Sequence, residues 1–231
     1  MDTNAELMNT YRVVKTEVET LSELLAQHKR CHCKDYYYKV RAWDQDVDAF
    51  AKLSDAQRAA RLIYLNKTCF NGLYRVNSQG FYNVPFGRYK DPPIHDPENL
   101  RNVSRILQNV EITTSSFERV LDIAQKGDFI YFDPPYQPLS STANFTSYTS
   151  NNFDEHSQQK LRDVFETLDQ RGCFVALSNS TNKFIQKLYL DMEGIEIKEV
   201  LAPRAINRDI NKRGKIPEIL ILGRTLALQK P

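Results

Sequence analysis

Phe129-Ile130-Tyr131-Phe132 is a compact apolar run that stops at Asp133-Pro134-Pro135-Tyr136. Four apolar residues closed off by turn-forming residues read as a buried parallel strand. Downstream, Leu161, Val164, Phe165 and Leu168 recur at helical spacing, with Gly172 just past the helix end. Cys173-Phe174-Val175-Ala176-Leu177 is then a second buried strand. Strand, helix and strand in this order point to an α/β fold with a parallel sheet and a crossover helix. Residues 129–132 are expected to be a central strand of that sheet.

Ligands of open α/β sheets bind beyond the carboxyl ends of the strands, and the tetrapeptide stands at such an end. A chance match to it in 231 residues is on the order of one in a thousand. Asp91-Pro92-Pro93-Ile94 shares three letters but follows a basic turn and lacks the aromatic, so it reads as a turn. The residue types suit chemistry at an exocyclic amine, whose lone pair is delocalised into an aromatic ring. Asp133 can accept one N–H. The Pro134 carbonyl can accept the other, because proline blocks helical hydrogen bonding and leaves that oxygen free. Two acceptors draw the amine toward a tetrahedral shape, and Tyr136 can stack on the ring. A base treated this way has to leave its duplex. In-line placement of a methyl donor completes the chemistry, and no metal is needed.

Elsewhere the pattern is helical first. Leu7, Tyr11, Val14, Val18, Leu21 and Leu25 form one apolar stripe, read as one helix. Ser54 with Gln57 three residues on is a capping box opening another. Residues 66–90 read as loop and hairpin, with four basic residues (Lys67, Arg75, Arg88, Lys90), no acidic one, and six interleaved aromatics. Val110 to Thr114 is expected to be a short strand. Ser140 to Asn152 reads as a polar loop. Ile195 to Val200 and Ile219 to Leu222 read as a hairpin around a basic loop with Arg204, Arg208, Lys212, Arg213 and Lys215.

The net charge of +2 leaves nucleic-acid binding to local patches rather than the overall field. There is no run of 18 apolar residues, and the start Met1-Asp2-Thr3-Asn4-Ala5-Glu6 lacks a basic region and an apolar core. No membrane span and no secretory signal are therefore expected, and the expected location is cytoplasmic. The four cysteines are expected to be reduced. His28-Lys29-Arg30-Cys31-His32-Cys33 invites a zinc reading, but no second ligand pair stands at a matching spacing. A solvated turn at a helix end is the better reading.

Asp133-Pro134-Pro135-Tyr136, Asn71 to Asn77 and Asn83 to Lys90 together resemble the Dam-type (D12) class of DNA adenine-N6 methyltransferases, as do Leu177-Ser178-Asn179 and Asp2 to Leu7. The resemblance covers essentially the whole chain in order. It implies methyl transfer from S-adenosylmethionine to a flipped adenine of GATC in double-stranded DNA. Asp133, Pro134 and Tyr136 would be catalytic. Asp2 would touch the donor ribose, with Phe117 and Asp133 lining the donor site. Phe70 and Asn71 would sit at the opened base pair, Arg75 would read a guanine edge, and Arg88 and Lys90 would hold phosphates.

The implied fold is a Rossmann-like methyltransferase sheet with an inserted helical and hairpin target-recognition domain. Residues 1–7 would be a remnant of the donor-binding region, 8–108 the recognition domain and 109–231 the catalytic domain. The family's Gly-x-Gly donor loop has no counterpart among the eight glycines, so the first strand and that loop are expected to be missing and a sheet edge exposed. A late-called gene start, a split enzyme completed by a separate N-terminal polypeptide, or an inactive fragment that binds DNA only would each give such a chain. RNA or protein-amide methyltransferases are a further alternative, but they usually carry Asn where this chain has Asp133, and they lack the basic aromatic segment 66–90.

Overall fold

The structure, a computed structural model, describes residues 1–139, 153–204 and 214–228. The Ser140–Asn152 loop and the basic residues Arg208, Lys212 and Arg213 lie outside the described residues. The chain divides into two compact units, one spanning residues 1–116 and the other beginning at Phe117. No described helix is long and apolar enough to cross a membrane.

The first unit is helical. α1 (Ala5–Thr16) is capped by Asn4, whose side chain accepts from the Leu7 amide. α2 (Val18–Cys31) follows after one residue. The stripe read as one helix is therefore two, because Glu17 (φ −133°, ψ 35°) leaves helical geometry. Within α1 the buried face also departs from that stripe: Tyr11 is exposed while Val13 and Val14 are buried. Next come α3 (Lys34–Arg41), α4 (Val47–Ala51) and α5 (Asp55–Thr68). Both bonds of the Ser54–Gln57 capping box are formed at the start of α5. α5 carries the unit's core, with Ala59, Ala60, Tyr64 and Leu65 packed among Leu21, Leu25, Tyr37 and Val40. Arg61 is buried there with its charge satisfied, donating to the Val40 and Arg41 carbonyls and pairing with Asp44 at 2.8 Å. α6 (Pro97–Leu107) completes the unit.

Of the stretch 66–90 read as loop and hairpin, residues 66–68 are the last turn of α5 and residues 69–90 form an irregular hairpin closed by single bridges, Cys69 to Phe86 and Val76 to Tyr82. The expected strand at Val110–Thr114 is only one bridge, Thr114 to Asp2. Its partner cannot run on, since Asn4 caps α1 two residues later.

The second unit is α/β. β1 (Phe129–Phe132) and β2 (Phe174–Ser180) are parallel, joined through α8 (Glu155–Gln170), and α7 (Val120–Ile123) precedes β1. α8 ends in a Schellman motif. The Gly172 amide bonds to the Asp169 carbonyl and the Cys173 amide to that of Leu168, with Gly172 at φ 86°. After α9 (Lys183–Leu190), β3 (Glu196–Arg204) and β4 (Gly214–Leu222) form the expected antiparallel hairpin, and α10 (Arg224–Ala227) closes the described chain. The sheet order is β1-β2-β4-β3, a mixed four-stranded sheet. Phe129–Phe132 is thus an edge strand and not a central one, because among the described residues only β2 pairs with it. Its side chains alternate between the two faces of the sheet: Ile130 and Phe132 join the core of Leu161, Phe165, Leu177 and Ile221, while Phe129 and Tyr131 are 63% and 53% exposed.

Candidate active site

The Asp-Pro-Pro-Tyr turn leaves the carboxyl end of β1. Phe132 is in register with Leu177 of β2, so one further step sets Asp133 beside Ser178. The Ser178 hydroxyl lies 2.9 Å from Asp133 Oδ1. Tyr136 donates its phenol to Glu218 Oε2 at 3.2 Å. Glu218 belongs to β4 and pairs with Ser180, so it shares a sheet face with Ser178. The Tyr136 phenol is pushed up to about 12, first by burial and further by the charges of Asp133 and Glu218, with Ser178 acting in the opposite sense. At neutral pH it is therefore a neutral donor beside two carboxylates.

The turn is held by side chains from below. Gln158 of α8, fully buried, donates to the Pro135 carbonyl at 3.0 Å. Asn179 Oδ1 accepts from the Gln137 amide at 3.0 Å, and Asn179 donates back to Gln158. Ser180 donates to the Gln137 carbonyl at 2.6 Å and Asn182 to that of Pro138 at 2.5 Å. The carbonyls of 135, 137 and 138 are thereby engaged. Among the described residues, the Pro134 carbonyl and Asp133 Oδ2 carry no hydrogen bond.

These supporting residues went unassigned in the sequence reading, although Ser178 and Asn179 were noted at the strand end. Three consecutive polar residues at the end of a buried strand, Ser178-Asn179-Ser180, were one available signal. Gln158 was another: it lies three, seven and ten residues before Leu161, Phe165 and Leu168, a polar side chain on an apolar face.

Phe117 is half-buried in the second unit, its ring set edge-on to Phe153 at 5.9 Å. Asp2 lies in the first unit, where its Oδ1 accepts from the Asn4 amide at 2.7 Å and its backbone bridges Thr114.

The remaining expected contacts lie on the irregular hairpin of the first unit. Phe70-Asn71-Gly72-Leu73 is a tight turn with positive φ at both central residues, 55° and 61°. This is the primed-turn geometry that Asn-Gly favours. It leaves Phe70 exposed at the tip. An open cavity of about 460 Å³ is lined by Phe70, Asn71, Phe86, Arg88 and Tyr89 among others. Arg75 is exposed but partly committed: Nε bonds Asn83 Oδ1 at 2.7 Å and Nη2 bonds the Asn83 carbonyl. The rest of its guanidinium fork stays available. Arg88 and Lys90 are exposed with no ion pair among the described residues. The hairpin thus brings Phe70, Asn71 and Arg88 to one cavity and places Arg75 across the strand pair.

The His28–Cys33 stretch is less solvated than expected. Cys31 and Cys33 are exposed, but His28 is buried with Nδ1 against the Tyr36 hydroxyl at 2.8 Å, and His32 Nδ1 meets the Tyr64 hydroxyl at 3.0 Å.

An α/β unit with a mixed four-stranded sheet and a carboxylate and an aromatic ring at one strand end is consistent with a methyltransferase. The family is narrower. The description "D12 class N6 adenine-specific DNA methyltransferase" matches residues 1–205, and the chain belongs to that family. It is 46% identical to the Type II methyltransferase M1.LlaDCHI of Lactococcus lactis subsp. cremoris, over 95% of this chain and 77% of that one. It is 45% identical to the Type II methyltransferase M.MjaIII of Methanocaldococcus jannaschii, over 96% and 78%. It is 35% identical to a DNA adenine methylase of Vibrio cholerae serotype O1, again over 96% and 78%.

Proposed function

We propose that this cytoplasmic chain methylates N6 of an adenine flipped out of double-stranded DNA, within GATC, with Asp133, Pro134 and Tyr136 at the reacting amine. The observation that carries the reading is the selective engagement of the turn. Gln158, Ser180 and Asn182 occupy the carbonyls of Pro135, Gln137 and Pro138, while among the described residues nothing donates to the Pro134 carbonyl or Asp133 Oδ2. Two open acceptors on consecutive residues match the two N–H donors of an adenine amine.

S-adenosylmethionine, when bound, supplies an electrophilic methyl carbon on a sulfonium leaving group. The chain's residues do the rest. Asp133 and Pro134 each accept one N–H, which returns the lone pair to nitrogen. Methylation would leave a positive charge on the nitrogen, and the amine would release one N–H proton along its hydrogen bond to Asp133 and on to water. Tyr136, held neutral, covers the face of the base. Asp2 and Phe117 serve the donor. Phe70 and Asn71, at the tip of a rigid primed turn, enter the opened base pair. Arg75 reads a guanine edge with its free N–H groups, and Arg88 and Lys90 hold phosphates.

Transfer of a labelled methyl group from S-adenosylmethionine to duplexes tests this. Label should appear as N6-methyladenine in GATC duplexes and drop sharply in duplexes altered at any one of the four pairs. Equal labelling of GATC and altered duplexes would refute the assigned target.

A further inference from the structure

Asp133 and Tyr136 are not free-standing groups, because each is tied to a side chain from a neighbouring strand. Ser178 on β2 is buried and sets its hydroxyl 2.9 Å from Asp133 Oδ1. Glu218 on β4 accepts the Tyr136 hydroxyl at 3.2 Å. The Ser180–Glu218 pairing of β2 and β4 keeps both on one face, with Glu218 in mid-β4 beside the carboxyl end of β2. We propose that Ser178 and Glu218 are positioning residues: Ser178 fixes the Asp133 carboxylate with Oδ2 toward the target amine, and Glu218 fixes the Tyr136 ring over the base.

The physical argument is one of restricted rotation. A free aspartate turns about two side-chain bonds and presents either oxygen. A hydroxyl held at one oxygen from a rigid strand selects the rotamer and leaves the other oxygen as the less committed acceptor, and so pre-forms the arrangement an amine must meet. The Tyr136 ring is likewise able to swing from Cβ, and the bond at its far end to Glu218 pins it. Ser178 and Glu218 act only through Asp133 and Tyr136, so neither needs to touch the base. This inference rests on Asp133 and Tyr136 being the groups that meet the base.

Single-turnover methyl transfer by the full chain, at saturating GATC duplex and S-adenosylmethionine, tests it. Ser178→Ala and Glu218→Ala should each slow transfer, roughly ten- to a hundredfold where the partner is the Asp133 carboxylate and less for the neutral phenol. Repeated at varied concentrations, the half-saturating level of either substrate should stay within about twofold, since binding contacts are intact. Ser178→Thr keeps the hydroxyl and Glu218→Gln keeps an acceptor, so both should recover most of the rate. A merely structural role would not give that rescue at equal thermal stability. Glu218→Ala should add little in a Tyr136→Phe background, because the bond is already gone.

Crystal structures of Ser178→Ala and Glu218→Ala give a readout that needs no turnover: the Asp133 carboxylate and the Tyr136 ring should leave their present positions. Side chains that stay in place, or wild-type rates in both alanine variants, would overturn the proposal. If Asp133→Ala also transferred methyl groups normally, the underlying assignment of the amine-binding residues would be the part that failed.

Discussion

Acidification should destabilise the first unit through His28. This side chain on α2 is 5% exposed, stacks on Tyr64 with centroids 4.7 Å apart, and faces the Tyr36 hydroxyl. Burial pushes its pKa down to about 4. In the unfolded chain it returns to about 6.5. Between those values the unfolded chain binds more protons than the folded one. The stabilisation is therefore fully present above pH 6.5 and is lost as pH falls toward 4. Going from pH 7 to pH 5, the loss is about 2 kcal/mol at about 1.4 kcal/mol per pKa unit. His32 is lowered by the same cause and acts in the same direction. Trp43, the single tryptophan, lies 5.9 Å from the His28 ring and reports on this unit. Urea unfolding followed by its fluorescence should show a midpoint about 1–2 M lower at pH 5 than at pH 7, for an m-value of roughly 1–2 kcal/mol/M. In His28→Gln the pH 7-to-5 difference should shrink by about 2 kcal/mol. A variant that kept the full dependence would show that His28 burial is not its source.

Three substitutions on the first unit have distinct outcomes. Gly87→Ala places a Cβ 2.5 Å from the Cys69 carbonyl and 2.6 Å from the Tyr89 ring, so backbone has to move; it should cost about 1–3 kcal/mol in thermal unfolding. Arg75→Ala should reduce discrimination at one base pair of GATC by roughly 1–3 kcal/mol, measured across single-base variants of the duplex. Lys90→Ala should weaken all duplexes alike and reduce the salt dependence of binding by about one phosphate contact.

What the sequence revealed was local and short in range. The Ser54–Gln57 box and the stop at Gly172 depend on residues a few positions apart, and both took the expected form. The β1–α8–β2 unit was legible because apolar runs, helical spacing and glycine all mark it. The break at Glu17 was not, since the apolar spacing runs through it without a proline or glycine. The edge position of β1 was hidden for a related reason. An apolar run shows that a strand is at least partly covered, yet which strands flank it in the sheet is decided by elements distant in sequence. The candidate site divided the same way. Asp133, Pro134 and Tyr136 announce themselves as one contiguous motif. Ser178 and Glu218 reach it only through strand register, across 45 and 82 positions of chain.

The central claim is that Asp133 accepts a hydrogen of the target amine during methyl transfer. The most direct measurement is single-turnover transfer to a GATC duplex by Asp133→Ala, alongside DNA binding by the same variant. Losing one acceptor in the transition state should slow transfer by roughly a hundredfold or more, while duplex affinity stays within about threefold because the hairpin contacts are untouched. Transfer near the wild-type rate, with binding intact, would contradict the account.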